Sequence, residues 1–315
     1  MHTLISQFWQ LTFSGTVQGF IYVLISLGYT MVYGVLRMIN FANSEIFMIG
    51  TFATVVITRD VLGHQANGAD LHGFTLLYTM LLCLLGSMLA SGLTAMLVEL
   101  VAYRRLRSRG TNRLAPLISA IGMSIVLSES VSLMTAGRAV PAPEVLHKSS
   151  LFTVLGANIR IDQLLVFIVA PLMFLFLQRF VNHTRLGKGI RAVSMNEETA
   201  KLMGINLNRV ISITFLIGGL MTGAAAFFFE TIYEATKYNI GFNIGIAAFT
   251  AAVLGGIGNI RGAFIGGLML GLLETYASAV LGSQWKAITV FLVLVIVLLF
   301  RPNGLFGEAV QQTRV

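Results

Sequence analysis

Residues 185-RLGKGIRAVSMNEETAKLMGINLNR-209 form a polar stretch in a chain that is otherwise apolar. They carry Arg185, Lys188, Arg191, Glu197, Glu198, Lys201 and Arg209, and long apolar runs lie on both sides. Such a stretch reads as a water-facing connection between two membrane spans. It also holds a compact helix signal. Asn196 is placed to cap, Glu197 and Glu198 occupy the first turn, where the helix dipole favours anions, and Gly204 is placed to close the end. About two turns of helix do not hold themselves together in water, so a surface must dock against them. A solvated basic loop that only sets topology fits the same residues, and the residues alone leave both readings open.

Composition points the same way. Hydrophobic residues make up 56% of the 315 and charged residues 11%, with a mean hydropathy of +0.82. A soluble domain carries roughly a quarter charged residues, so the chain is an integral membrane protein. The net charge of +8 does not indicate nucleic acid. The basic residues sit in short loops between apolar spans, where they orient a protein in lipid. Cys83, the one cysteine, lies in an apolar run and has no partner for a disulfide or thiolate metal site. Residues 1–14 lack a basic start and a small-residue cleavage site, so the first span is expected to act as an uncleaved insertion signal.

Nine apolar segments are predicted, at about 11–36, 41–58, 74–103, 114–136, 162–181, 206–230, 242–258, 262–282 and 286–300. Eight or ten spans remain compatible with this pattern. Most segments approach the roughly 20 residues that cross a bilayer, whereas 41–58 and 242–258 are short enough to be tilted, broken or re-entrant. The expected fold is therefore all-α, one polytopic transmembrane helical bundle over residues 1–315. Arg104, Arg105, Arg107, Arg109 and Arg113 crowd one loop, Arg179 to Arg191 another, and Arg301 and Arg314 the tail. If these are cytoplasmic, the amino terminus is outside, the carboxyl terminus is inside, and loops 59–73, 137–161 and 231–241 are external. Arg37 and Arg261 then fall at inner turns. In 137–161, two short apolar runs around Gly156, Ala157 and Asn158 suggest a small hairpin, either a docking rim for an external protein or a lid without a partner.

Two further stretches carry information. In 28-GYTMVYGVLRMINFANSEIFMIGTFA-53, Asn40, Asn43, Ser44 and Glu45 interrupt the apolar pattern. Polar groups there must be satisfied by one another, by freed backbone or by water, as in a broken hairpin lining a cavity or in polar glue between helices. In 247-AAFTAAVLGGIGNIRGAFIGGLMLGLLE-274, Gly262 with Gly266 and Gly267 with Gly271 recur at the four-residue step that lets helix backbones approach. Gly15 with Gly19 and Gly219 with Gly223 repeat it. Gly255, Gly256 and Gly258 are read as packing positions too, because no strand precedes them and no GK[ST] follows, as a nucleotide loop requires.

Glu45, Glu129 and Glu274 lie in or beside spans and Glu99 lies near an inner end, where a charge calls for a pathway or a pair. Arg37 and Arg261 are the expected counter-charges. His2, His64, His72, His147 and His183 are scattered over the terminus and loops without metal-ligand spacing. His64, Asp70 and His72 share one loop and read as a solvated cluster. There is no G-x-S-x-G, CxxC or Walker A lysine, so neither catalysis nor a cofactor or metal is expected, and energy must come from another chain.

Glu198-Thr199-Ala200 followed by Gly204 has the E-A-A-x-x-x-G spacing of the loop by which ABC-importer permeases rest on their ATPases, with Thr199 in place of the usual alanine. Met38 to Ala42, then Glu45, resembles the MINFAHGE wording of LivH-type branched-chain amino acid permeases, with Asn43 for histidine and Ser44 for glycine. The run 248-AFTAAVLGGIGNIRGAFIGG-267 is the most specific resemblance to that family, and the similarity extends over nearly the whole chain. Acids at the positions of Glu45, Glu99 and Glu274 are shared with it; Glu129 is not among them.

The resemblance implies a type II-like ABC importer permease in the bacterial inner membrane, moving branched-chain or related amino acids. Its partners would be a second related (LivM-like) permease, two ATPase subunits and an external solute-binding protein, all working in membrane lipid. Arg191, Glu197, Glu198, Ala200 and Gly204, in a coupling loop over 185–205, would meet the ATPase. Asn40, Asn43, Glu45 and Glu274 are candidates for the translocation path. Similar permeases serve urea, amides or other small solutes. A proton-coupled carrier or channel and a non-transporting scaffold subunit are the readings of a different class.

Overall fold

The computed structural model describes residues 7–63, 74–108, 114–143, 150–154 and 157–307. His2, His64, Asp70, His72, Arg109, Arg113, His147, Gly156 and Arg314 lie outside the described residues. Every predicted apolar segment is helical: α1 (Phe8–Leu36), α2 (Asn43–Val56, prolonged by a π turn, Ile57–Val61), α3 (Phe74–Val98), α4 (Leu114–Thr135), α5 (Ile161–His183), α8 (Leu207–Tyr233), α9 (Ile240–Gly255), α10 (Ile260–Leu281) and α11 (Lys286–Phe300). Among the described residues seven helices are long and apolar enough to cross a membrane. The exceptions, α2 and α9, are the segments whose length suggested broken spans. α3 runs on through a π segment, Glu99–Arg104, to Ser108, past the predicted end at 103.

Two more helices, α6 (Arg185–Met195) and α7 (Glu197–Leu202), fill the polar connection. Only the second is in the sequence reading. Thr184 caps α6 by accepting from the Gly187 N–H at 3.0 Å, and Gly187, Ile190 and Val193 bury one face. The helix is amphipathic and lies against the bundle, so its charged face masked it as loop.

α1 and α8 are the inner helices, 83% and 78% buried over their most apolar windows, against 6% for α11. Close backbone contact holds them. A Cβ on Gly271 of α10 would lie 2.3 Å from Gly19 Cα on α1, and one on Gly266 would lie 2.2 Å from the Ala251 carbonyl oxygen on α9. The two four-residue steps on α10 thus face different helices: Gly262 and Gly266 meet α9, Gly267 and Gly271 meet α1. Gly219 and Gly223 of α8 bring it against Ser91 and Ser87 of α3. A Cβ on Gly255 would lie 2.0 Å from the Gly262 carbonyl oxygen, so these two glycines meet directly. Gly258 departs from the packing expectation: it has φ +96° in the α9–α10 turn, and a Cβ added there would come no nearer than 3.7 Å, to Tyr33. It serves the turn's left-handed backbone instead. Gly256 (φ +105°) shares that turn, and also receives the tail at Gly304 and Gly307, where the Leu305 and Phe306 N–H groups donate to the carbonyls of Leu254 and Gly255.

The helix ends sort onto two faces. On one, Arg37 donates to the Ser194 carbonyl at 2.9 Å, Arg107 to Asn208 at 2.6 Å, and the tail docks on α9. Arg37, Arg104, Arg107, Arg185, Lys188, Arg191 and Arg209 therefore share a face with α6 and α7. On the opposite face, β1 (Val140–Pro141) pairs antiparallel with β4 (Ala235–Thr236), and Thr51 shares a 2.6 Å hydrogen bond with Thr236. The expected hairpin is β2 (Ser150–Val154) with β3 (Ala157–Arg160), in register Thr153 to Asn158.

Candidate functional site

The turn between α1 and α2 reaches into the bundle and meets four other helices. Asn40 Oδ1 accepts from the Ala42 N–H at 3.2 Å and from the Tyr103 hydroxyl on α3 at 3.1 Å. Asn43 Oδ1 accepts from Thr222 on α8 at 3.4 Å. Asn43 also faces Gly28, more than two turns inside the end of α1, or about 12 Å at 1.5 Å per residue. α2 thus starts well within the apolar layer. Glu45 is 3% exposed, and its Oε1 accepts 3.4 Å bonds from Ser44 and from Ser124 on α4.

α9 begins at the same place from the other direction. A Cβ on Gly241 would lie 2.4 Å from the Ser44 carbonyl oxygen and 2.8 Å from Glu45 Oε2, and Gly245 packs on Ser44 and the Tyr29 hydroxyl. The first turns of two short helices therefore converge on one carboxylate, where their partial positive charges favour an anion. The Asn40 and Asn43 amide nitrogens and Glu45 Oε2 are buried without hydrogen-bond partners among the described residues. Groups in that condition mark a place that water, substrate or a rearranged state completes. Tyr29, Tyr103, Ser124, Thr222 and Gly241 belong to this constellation and escaped sequence reading. Lone hydroxyls and glycines in apolar helices were their only signal.

Glu274 stands elsewhere. Its Oε2 accepts from the Tyr22 hydroxyl at 2.5 Å, and its Oε1 is 3.8 Å from the Lys286 ammonium, which ties α1, α10 and α11 together. Glu99 is wholly buried and faces Arg104 and Arg107, each at 3.4 Å, and Ser212, which donates to it at 2.8 Å. Arg37 and Arg261 are not the counter-charges. Arg37 holds the Ser194 carbonyl, and Arg261 donates to the Gln178 side-chain oxygen at 2.9 Å in the amide orientation that satisfies both groups. The expectation failed because both arginines lie at helix ends, where neighbouring polar groups reach them first. Glu129 is exposed on α4.

Glu99→Ala leaves two guanidinium groups facing an apolar void beside Ser212. Both arginines are partly solvated, so the cost falls below that of a fully buried pair, about 2 kcal/mol. The expected result is a melting temperature several degrees lower in detergent, and an unchanged melt would remove this cluster from the stabilising contacts.

At the polar connection, Asn196 accepts from the Thr199 N–H at 3.0 Å. Ala200 is the residue of α7 buried against the bundle. Gly204 has φ +80°, with its N–H on the Lys201 carbonyl and that of Ile205 on the Ala200 carbonyl. Glu197 and Glu198 point to solvent, as does Arg191, which donates to the Asn182 carbonyl at 3.1 Å. Around them Met195, Leu202 and Met203 are 82%, 87% and 79% exposed. Three large apolar side chains are thus exposed about this short capped helix.

A polytopic helical bundle with two broken spans meeting at a buried acid, and a helical connection presented on one face, is the architecture of a membrane permease. Residues 11–299 match the family described as "Branched-chain amino acid transport system / permease component", and the chain belongs to it. It is 41% identical over 299 residues, 94% of both chains, to the high-affinity branched-chain amino acid transport system permease protein BraD of Pseudomonas aeruginosa. It is 40% identical over 307 residues, 96% of both, to the corresponding LivH of Escherichia coli K12. A chain of PsaBC from Streptococcus pneumoniae in complex with Fab gives a TM-score of 0.49 at 13% identity over 96% of both chains, too slight a likeness to carry an argument.

Proposed function

We propose that the chain is the membrane-spanning subunit of an ATP-driven importer of branched-chain or related amino acids in a bacterial cytoplasmic membrane. The relatives BraD and LivH, named for branched-chain amino acid transport, support the substrate class. A second related (LivM-like) permease completes the membrane core, an external solute-binding protein delivers substrate, and two ATPase subunits bind on the face of α6 and α7. That face is cytoplasmic by its arginines and lysines, which puts the amino terminus outside and the carboxyl terminus inside. The chain itself hydrolyses nothing.

The observation that carries the reading is the exposed apolar trio Met195, Leu202 and Met203 on a capped helix seated through Ala200. A rigid push on α7 passes to the Ser194 carbonyl, from there to Arg37, and so to the turn that holds Asn40, Asn43 and Glu45. Closure of the ATPases thereby biases the bundle between outward- and inward-facing arrangements.

Gly204→Pro tests this. Proline holds φ near −65° and lacks the N–H that Gly204 gives to Lys201, so the end of α7 is lost while the spans are untouched. Purification in mild detergent from native membranes should bring an ATP-hydrolysing subunit down with wild type and not with the folded variant. Leu202→Glu should act alike without backbone change. If neither substitution loosens an ATPase, or none accompanies wild type, the coupling reading fails and a self-powered carrier takes its place.

A further inference from the structure

Glu230 has no part in the contacts above. It lies on α8 near the face opposite α6 and α7, is 1% exposed, and neither carboxylate oxygen has a hydrogen-bond partner among the described residues. It lines a small pocket that is partly open to solvent, with Thr54, Thr58, Cys83, Thr231 and Glu234 among the other walls. The deep part has room for a single water-sized occupant.

Among the described residues, the donors around this pocket are already used. The Thr54 hydroxyl donates to the Gly50 carbonyl, that of Thr58 to the Thr54 carbonyl, and that of Thr231 to the Phe227 carbonyl. Since Thr58 has spent its proton, the 3.3 Å contact with Cys83 takes the thiol as donor. The Ala142 N–H is held by the Glu234 carbonyl, and Pro143 has no N–H. What these groups present to the cavity is therefore lone pairs, next to a buried carboxylate with a second carboxyl one helical turn away. An occupant that must both donate and accept is poorly served there. A cation that only needs oxygen ligands is well served. Among the described residues no cluster of three His, Cys, Asp or Glu side chains is disposed to hold a metal ion, which argues against a transition-metal site. One wholly buried carboxylate balances one positive charge.

We propose that this pocket binds one alkali-metal cation, Na⁺ or K⁺, through the Glu230 carboxylate and the hydroxyl oxygens of Thr54, Thr58 and Thr231. The ion would join α2 and α8 beneath the β1–β4 ribbon, at the face opposite the coupling helices.

Equilibrium binding of ²²Na⁺ and ⁸⁶Rb⁺ to the purified transporter complex in detergent tests it, with choline chloride holding ionic strength constant. Wild type should bind one of the two saturably, about one ion per copy of this chain. Glu230→Gln should weaken that binding at least tenfold, Thr58→Val several-fold, and Glu274→Gln not at all, because Glu274 already has Tyr22 and Lys286. Should Glu230→Gln fail to fold, the Thr58→Val arm decides. Absence of saturable binding in wild type from pH 6 to 9 would mean a neutral acid and overturn the proposal. So would binding that survives both substitutions, or a site that takes Ca²⁺ and neither monovalent ion. None of these outcomes depends on ATPase coupling.

Discussion

Gly271→Val is expected to leave almost no folded permease in the membrane. A Cβ at this position falls 2.3 Å from both the amide nitrogen and Cα of Gly19, and 2.6 Å from the Gly15 carbonyl oxygen. All three are backbone atoms of α1, so no rotamer change relieves the overlap and the helices must part. Overpacking in a soluble core costs about 1–3 kcal/mol when side chains give way; here they cannot. Helices in lipid gain little from burying apolar surface and depend on such close approach. Separation also draws Tyr22 from Glu274 and Gly267 from Val23, so the loss spreads along the whole α1–α10 seam. Fluorescence-detected size exclusion of detergent extracts measures it, with Gly34→Val as control, since nothing lies within 4 Å of a Cβ at Gly34. The control should elute as wild type while Gly271→Val disappears or runs with aggregate. A sharp peak of normal height from Gly271→Val would refute the seam.

Physics made some parts of this molecule readable and hid others. Runs of about 20 apolar residues can do little but span, so the helices fall where the runs are. Even the two anomalous ones, α2 and α9, declared themselves by being short. Gly204 and Asn196 were legible because a helix end imposes local requirements on the residues that make it. Partners were not. Nothing local tells that Glu274 meets Lys286 and not Arg261, or that Thr51 meets Thr236, because those pairs depend on how the helices are rotated. Gly258 was misread because a turn glycine and a packing glycine look alike in a glycine-rich string. Glu230 was missed at the end of a phenylalanine run, where an acid passes for the boundary of a span. The polar hub at Asn40, Asn43 and Glu45 was half visible: the residues that break the apolar pattern stood out, and the single hydroxyls of Ser124, Thr222 and Tyr103 that complete it did not.

Glu45→Gln should separate the two meanings of that hub, passage or glue, because they predict opposite signs. If Glu45 served to hold helices together, its removal would cost stability and spare transport. Its bonds argue otherwise. Oε1 accepts two long hydrogen bonds of 3.4 Å, and Oε2 has none among the described residues. A carboxylate taken out of water for so little return is itself destabilising, and an amide of the same shape in its place is expected to cost little or to stabilise. What the amide cannot supply is negative charge at the point where the first turns of α2 and α9 converge. There Glu45 Oε2 faces the first turn of α9 at Gly241 with no hydrogen-bond partner among the described residues. The expected result is uptake of labelled leucine reduced at least tenfold in maximal rate, with the variant melting no lower than wild type in detergent. An ATPase that co-purifies with wild type should co-purify equally with the variant, because α7 is untouched. A variant that melts well below wild type yet transports normally would return Glu45 to the role of polar glue and leave the path through the bundle to be sought elsewhere.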